Sequence, residues 1–437
     1  MGIRKWFLLT IHLISPRSPV ACTTEREKAN HFSRLSLATV AGWLPQDANI
    51  RIINDNIEEI DFDEKVDLVG ITAITSTAPR AYEIADRFRE RGVPVILGGI
   101  HPTALPQEAS LHADSVVIGE AEGVMQNLIN DFKQGTLKKF YRSSKRPNLV
   151  NLPLPRKDLW IGSKYYQEWD MVQTTRGCPF NCEFCSVTAF FGRTYRTRPI
   201  SDVMREVENF PHRTIFFVDD NITAHPDYSK KLFRTLIPLK IRWFGQSSLT
   251  ITKDDELLKL ASKSGCFGLF IGFESLSSAN LKKAGKTANH VKEYSTAIKK
   301  IHDHGIGIVG AFIFGFDLDD ESVFEETVKF IDRNQLELAS FSILTPLPGT
   351  RLYKRLEEEG RIIQRDWAKY TCGEVVFRPR LLTVEQLRKG YDWARKQISS
   401  FPSIFRRTFH LRKSSFIAFP INLIMRKSTR AFLKNKH

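Results

Sequence analysis

The sequence predicts an α/β protein of two parallel-sheet units in series, followed by a helical extension. Three observations carry that reading. Short, almost wholly apolar runs alternate with amphipathic segments over most of the 437 residues, and buried parallel strands read as such continuous runs. A polar, Pro-rich stretch at residues 141–155 interrupts the alternation once. Charge is uneven as well: of a formal net charge of +15, nine Lys or Arg lie beyond Phe401, and no acidic residue follows Asp392. With 42% hydrophobic and 26% charged residues, disorder, collagen and a coiled coil are excluded for the chain as a whole. No apolar run approaches the roughly 18 residues needed to span a bilayer.

In the first unit (residues 1–140) the apolar runs at 5–14, 50–53, 66–74, 93–97 and 115–118 predict strands. Apolar spacing of helical period predicts helices at 32–44, 81–90 and 122–132. The opening imitates a signal peptide, with Cys22 placed like a lipoprotein cysteine. His12 interrupts the apolar run, however, and Pro19 stands where an aliphatic residue is required, so the segment reads as a first β-strand. A doubly wound, Rossmann-like sheet places its ligand at the carboxyl ends of its strands. Those ends carry Thr72–Thr77, including Ser76, then Gly98-Gly99-Ile-His101-Pro-Thr103 and Gly119-Glu120-Ala-Glu-Gly123. Small residues there let a large flat ligand approach the backbone.

Residues 141–167 read as a linker. In the second unit (168–375), strands at 171–175, 214–218, 242–247, 267–272, 308–314 and 339–344 alternate with helices at 203–209, 227–236, 255–263, 291–304, 321–334 and 350–359. Six βα repeats predict an incomplete (β/α)6 barrel whose function sits on the carboxyl-end rim. Residues 376–437 form a basic helical extension without that periodicity.

Six cysteines are too few for a disulfide scaffold. Cys178, Cys182 and Cys185 crowd a glycine-led loop after the first barrel strand, which reads as a metal site in a reducing compartment. A structural zinc site requires a fourth Cys or His, and the loop supplies none. Three thiolates can instead hold a four-iron cluster with one iron open to an outside ligand. The remaining strand ends carry Asp219 and Asp220, where a cation can be held, then Gln246 and Ser248, suited to a carboxylate or ribose. Glu274 and the Gly310–Gly315 segment follow on strands four and five. Arg196 and Arg198 can neutralise an anion or simply solvate a helix entry, whereas Cys266 and Cys372 read as packing.

With Phe184 before its last cysteine, the Cys-x3-Cys-x2-Cys loop resembles that of the radical S-adenosylmethionine enzymes, a likeness covering residues 168–375. The resemblance implies a 4Fe-4S cluster on Cys178, Cys182 and Cys185, with S-adenosylmethionine on the open iron. It implies a reductant such as flavodoxin or ferredoxin, and cleavage to a deoxyadenosyl radical. It also places Phe184, Asp219 or Asp220, Gln246, Ser248, Glu274, Gly310 and Gly315 around the nucleotide. Asp219 or Asp220 would meet the methionyl amine and Glu274 the ribose. The first unit resembles the cobalamin-binding domain of one subgroup, which assigns Thr72, Ser76, Gly98, Gly99, His101, Gly119 and Glu120 to the corrinoid. The Asp-x-His-x-x-Gly sequence that provides an axial histidine is absent from residues 1–150, so the corrinoid is expected without one.

Domain order and the Asp366-Trp367…Tyr370 stretch resemble the hopanoid C-2 methylase branch. That implies methylation of an unactivated carbon in a lipid-like or other hydrophobic metabolite, with a non-methylating cyclase or oxidoreductase as the alternative. An RNA-modifying relative would want further cysteines in the first unit, so nucleic acid is not an expected partner. The expected location is the cytoplasm, with the basic tail either packed on the barrel or held at the inner membrane face. Each Lys or Arg near anionic lipid contributes about 1 kcal/mol, though Pro420 is expected to break the tail's helix.

Overall fold

The computed structural model of the chain describes residues 9–19, 35–159, 170–409 and 413–434. The apolar opening before Leu9 and Cys22 lie outside the described residues. Among the described residues two six-stranded sheets are fully parallel. The first contains β1 (Thr10–Ser15), β2 (Asn49–Asn54), β3 (Leu68–Thr72), β4 (Val95–Gly98), β5 (Ser115–Ile118) and β6 (Phe140–Arg142), in the order β2-β1-β3-β4-β5-β6. The order reverses at β1, which places the switch point of this doubly wound sheet beside the carboxyl ends of β1 and β3. β6 falls where the sequence predicts the start of the linker. Its three residues are too few to show periodicity, and only pairing with β5 makes them a strand.

Helices Leu35–Ala41 and Met125–Gln134 cover one face of this sheet and Ala78–Arg89 the other. Met125–Gln134 stops at Gly135, whose left-handed φ of 71° closes the last turn without a Cβ clash.

The second unit runs through β7 (Asp170–Val172), a short antiparallel pair β8 (Thr175–Arg176) and β9 (Arg196–Thr197), then β10 (Thr214–Phe217), β11 (Arg242–Ser247), β12 (Cys266–Glu274), β13 (Gly307–Phe314) and β14 (Leu338–Ile343). The order β14-β13-β12-β11-β10-β7 is that of an open half-barrel. Burial alternates along β10, β11, β13 and β14. Ile215, Phe217, Trp243, Ile308, Phe312 and Ile343 belong to the large core shared with the surrounding helices. The alternate residues face the barrel interior. Pairing register arranges them in tiers: Phe216 with Phe244, then Gln246 with Phe270, Val309 and Leu338.

The extension is Val384–Ile398, Phe401–Thr408 and Lys413–Lys434. The sequence predicts a break at Pro420, but the last helix is continuous across it. Pro420 lies on the exposed side, and the carbonyl it deprives of a donor belongs to Phe416, which is itself exposed to water. Part of the basic tail is internal rather than free. Arg407, fully buried, donates to the carbonyls of Leu336, Glu337 and Ile398 and to Asn422 Oδ1 at 3.2, 3.1, 2.7 and 3.0 Å. Arg407→Ala is expected to lower unfolding stability by about 3 kcal/mol or more, measured by denaturant titration, because those buried acceptors lose their donor.

Candidate functional site

The cysteine loop is fixed from two sides. Glu183 N–H donates to Ala284 O at 2.9 Å, Leu352 N–H to Glu183 O at 2.9 Å, and Arg351 to Asn181 O at 2.5 Å. Arg355 grips the Glu183 carboxylate at 2.9 Å and also meets Asp317. Phe184 meets Phe316 edge-on at 6.0 Å, walling one side. Cys178, Cys182 and Cys185 interact electrostatically with one another, and burial raises all three thiols, Cys182 to about 11. Lys286 opposes that rise at each thiol. Among the described residues no three Cys, His, Asp or Glu side chains gather closely enough to hold a single metal ion. Three thiols on one loop without a fourth Cys or His suit a four-iron cluster with one open iron better than a closed zinc site.

The rim places the sequence-predicted residues unevenly. Asp219 is fully buried and turned into the loop. Its Oδ1 accepts from Thr174 N–H and Oγ1 at 3.0 and 2.8 Å and from the Thr175 N–H and hydroxyl. Asp220 faces the thiols, with one bond from Gly177 N–H at 3.2 Å, and burial pushes its carboxyl up to about 6. Ser248 accepts from Asn221 at 3.2 Å and shares a hydrogen bond with Thr250 at 2.6 Å, while Gln246 points to the interior. Glu274 sits at a register shift between β12 and β13 with φ of 66°, an uncommon backbone for a residue with a Cβ, and pairs with Lys286 at 2.9 Å.

Gly310 has a packing reason: a Cβ there would meet Leu336 at 2.7 Å. Gly315 has φ of 102°, and its N–H donates to Asp319 at 2.9 Å. Lys286 was not identified from the sequence; it lies in a loop with no periodicity, and only the fold brings it to the thiols. Arg196 and Arg198 are committed elsewhere, Arg196 to Glu120 and Arg198 to Glu206 at 2.7 Å. Cys266 is buried and Cys372 half-buried, and burial raises both thiols, as packing residues require.

Facing this rim, the first sheet holds an apolar cavity of about 270 Å³ between its strands and the helices Leu35–Ala41 and Met125–Gln134. Thr72, Gly98, Gly99, Gly119 and Glu120 line it, and its mouth is completed by Gln173, Arg176, Phe190, Phe191 and Val218 of the second unit. A Cβ on Gly119 would meet nothing within 4 Å, so open space adjoins that backbone. Glu120 bridges the two units, accepting from Arg176 at 2.8 Å and Arg196 at 2.6 Å, while Arg176 also meets Glu122 at 2.5 Å. Neither Ser76 nor His101 lines the cavity. His101 is fully buried, with Nε2 3.1 Å from Glu108, which also accepts from Trp367 Nε1 at 3.0 Å. The turn Thr75–Thr77 packs against Trp367–Lys369, so Ser76 and His101 belong to a latch between the units.

Residues 172–331 match the Radical SAM superfamily, residues 34–129 the B12 binding domain, and residues 350–434 a domain of unknown function, DUF4070. The chain is 34% identical over 373 residues to bacteriochlorophyllide d C-12(1)-methyltransferase of Chlorobaculum tepidum, covering 83% of this chain and 81% of that one. It is 26% identical over 350 residues to hopanoid C-2 methylase of Rhodopseudomonas palustris, covering 76% and 65%. The cobalamin-dependent S-adenosylmethionine radical enzyme OxsB, with aqua-cobalamin and S-adenosylmethionine bound, shares the fold with a TM-score of 0.71 at 17% identity, over 98% of this chain and 72% of that one. The chain therefore belongs to the cobalamin-dependent radical S-adenosylmethionine methylase family, and its cofactors are a 4Fe-4S cluster, S-adenosylmethionine and cobalamin.

Proposed function

We propose that this enzyme methylates an unactivated carbon of a hydrophobic small molecule, and that the two opposed sites described above hold its cofactors. The observation that carries the reading is the cavity at the carboxyl edge of the first sheet, whose mouth is built in part by the loop leading to the cysteines. Its glycine-bordered apolar interior fits the nucleotide tail of cobalamin, and the buried thiols fit a cluster. When bound, these groups supply the electron that splits the sulfonium and a carrier for the methyl group.

The chain's own part is placement and exclusion of water. Cys178, Cys182 and Cys185 would hold three irons, and Lys286 offsets the negative charge gathered there. Asp220, rather than the saturated Asp219, would hold the methionyl ammonium. Gln246, Ser248 and Glu274 would orient the carboxylate and ribose, with Phe184 shielding the site. The Glu120–Arg176 bridge fixes the cavity mouth to the cluster loop. A hydrophobic substrate accords with relatives named for bacteriochlorophyllide and hopanoid.

Anaerobic reconstitution with iron, sulfide and hydroxocobalamin, followed by dithionite and product analysis, tests the reading. Retained corrinoid with both deoxyadenosine and S-adenosylhomocysteine is the expected result; deoxyadenosine alone would replace methylation with another radical reaction. Asp220→Asn is expected to weaken S-adenosylmethionine binding by about 10- to 100-fold in equilibrium dialysis, the worth of one hydrogen bond to a charged group.

The extension favours contact with an anionic membrane surface. Phe405 and Phe409 stack at 4.1 Å in the open, and exposed Phe416, Phe419 and Leu423 continue towards exposed Lys427 and Arg430. No helix among the described residues is long and apolar enough to cross a membrane. Co-sedimentation with phosphatidylserine-containing vesicles is expected, reduced by salt and by Phe405→Ser with Phe416→Ser. Equal binding to neutral vesicles would exclude the electrostatic part.

A further inference from the structure

A second cavity lies at the opposite, amino-terminal end of the half-barrel, between its floor and the helix Lys413–Lys434. Its volume is about 230 Å³. The walls are Phe216, Phe244 and Phe267 on one side and Ile417, Ala418 and Ile421 on the other. The inner row that begins Phe216–Phe244 continues through Gly268 and Gly307, and the glycines let the neighbours close in: a Cβ on Gly307 would meet Ser414 Cβ at 2.9 Å. Two polar side chains border the cavity, and they satisfy each other: Ser414 Oγ donates to Glu337 Oε1 at 2.7 Å, and Glu337 Oε2 accepts from Ile308 N–H at 2.8 Å. A water there would find little to bond, so the cavity is dry. An apolar cavity of about 150 Å³ already suffices to stay dry and take up benzene.

Its roof is informative. Val309 and Leu338 line the cavity and share one register row with Phe270 and Gln246. The space therefore lies at the foot of the half-barrel interior, with that row and the small residues Gly272, Ala311 and Ser340 of the next one between it and Glu274 on the rim. Packed interiors leave few voids of this size, because the lining atoms forgo their dispersion contacts. We propose that this cavity receives the hydrocarbon end of the substrate, a portion bearing no hydrogen-bonding group, while the carbon to be methylated remains at the rim. The proposal rests on the methylation reading above. The helix Lys413–Lys434 is then a wall of the substrate site, with Ser414, Ile417, Ala418 and Ile421 presenting one face to it.

The test uses the reconstituted holoenzyme, with 1-aminoanthracene as the fluorescent apolar probe and dodecanol as its competitor. The wild-type protein is expected to bind the probe at a saturable site that dodecanol empties. Ala418→Phe, which fills the cavity, is expected to weaken the probe by about tenfold or more, and Ile421→Phe to do the same if the first variant does not fold. Phe416→Ser, on the exposed face of the same helix, should leave the affinity unchanged. Undiminished probe binding in the filled variants, or loss in Phe416→Ser alone, overturns the proposal. With methyl-labelled S-adenosylmethionine and a lipid extract, the filled variant should pass at least about tenfold less label into the extract while still forming deoxyadenosine. Undiminished labelling also overturns it. Absence of label with wild-type protein that does bind the probe would instead remove the methylation reading.

Discussion

Replacing Cys182 with alanine is expected to abolish cluster assembly and, with it, reductive cleavage of S-adenosylmethionine. Cys182 is the middle member of the triad and the most sequestered of the three at 8% exposure, so no external thiol can take its place. Its backbone carbonyl also accepts from Cys185 N–H at 3.3 Å, which alanine preserves, so the loop keeps its course while the ligand is lost. The measurements are iron and sulfide content, the visible absorption of the cluster, and deoxyadenosine after dithionite. All three should fall to background. Corrinoid retention should persist, because the first sheet and its cavity do not depend on this thiol. A variant that still forms deoxyadenosine would remove Cys182 from the ligand set.

The complementary substitution is Gly70→Phe. Gly70 lies in the middle of β3 and lines the cavity of the first sheet, and even a Cβ there would come to 3.0 Å from Leu13 Cδ2. A benzyl group is expected to occupy the space that the corrinoid tail would enter, at an overpacking cost of about 1–3 kcal/mol. Corrinoid retention after gel filtration should be lost, whereas the cluster should form and deoxyadenosine should still appear. S-adenosylhomocysteine should fall to background. Full corrinoid retention in this variant would show that the tail lies elsewhere. Together the two variants dissect the site: one removes radical formation and spares the corrinoid, the other does the reverse.

How much of this was legible in the sequence depended on how local the signal is. The strand at Arg242–Ser247 and the helix at Asp255–Lys263 have the boundaries the pattern predicts, since each is a continuous apolar or helical-period run between polar turns. The strand ends that carry Thr72, Gly98, Asp219 and Glu274 are likewise readable from where the apolar runs stop. The three-residue strand β6 was not, because an element that short gains its identity from a neighbour. Asp219 and Asp220 look equivalent as letters. Burial and the hydrogen bonds of Thr174 and Thr175 separate them, turning one into the loop and the other towards the thiols. His101 and Glu120 sit in loops that read as ligand-binding, yet one is sealed against Glu108 and Trp367 and the other ties two units together. The contacts of His101 with Trp367 and of Glu120 with Arg176 join residues far apart in the chain.

The sequence by itself determined the two parallel sheets, their order, and the cysteine loop with the chemistry its spacing supports. Periodicity and motif spacing are properties of neighbouring residues, so they survive in one dimension. Only the tertiary structure decided which charges face the thiols, which are spent on holding the units together, and where empty space remains. Those outcomes depend on pairing register and on packing between segments more than a hundred residues apart, such as Glu183 with Arg355 and Glu108 with Trp367. No local pattern encodes them.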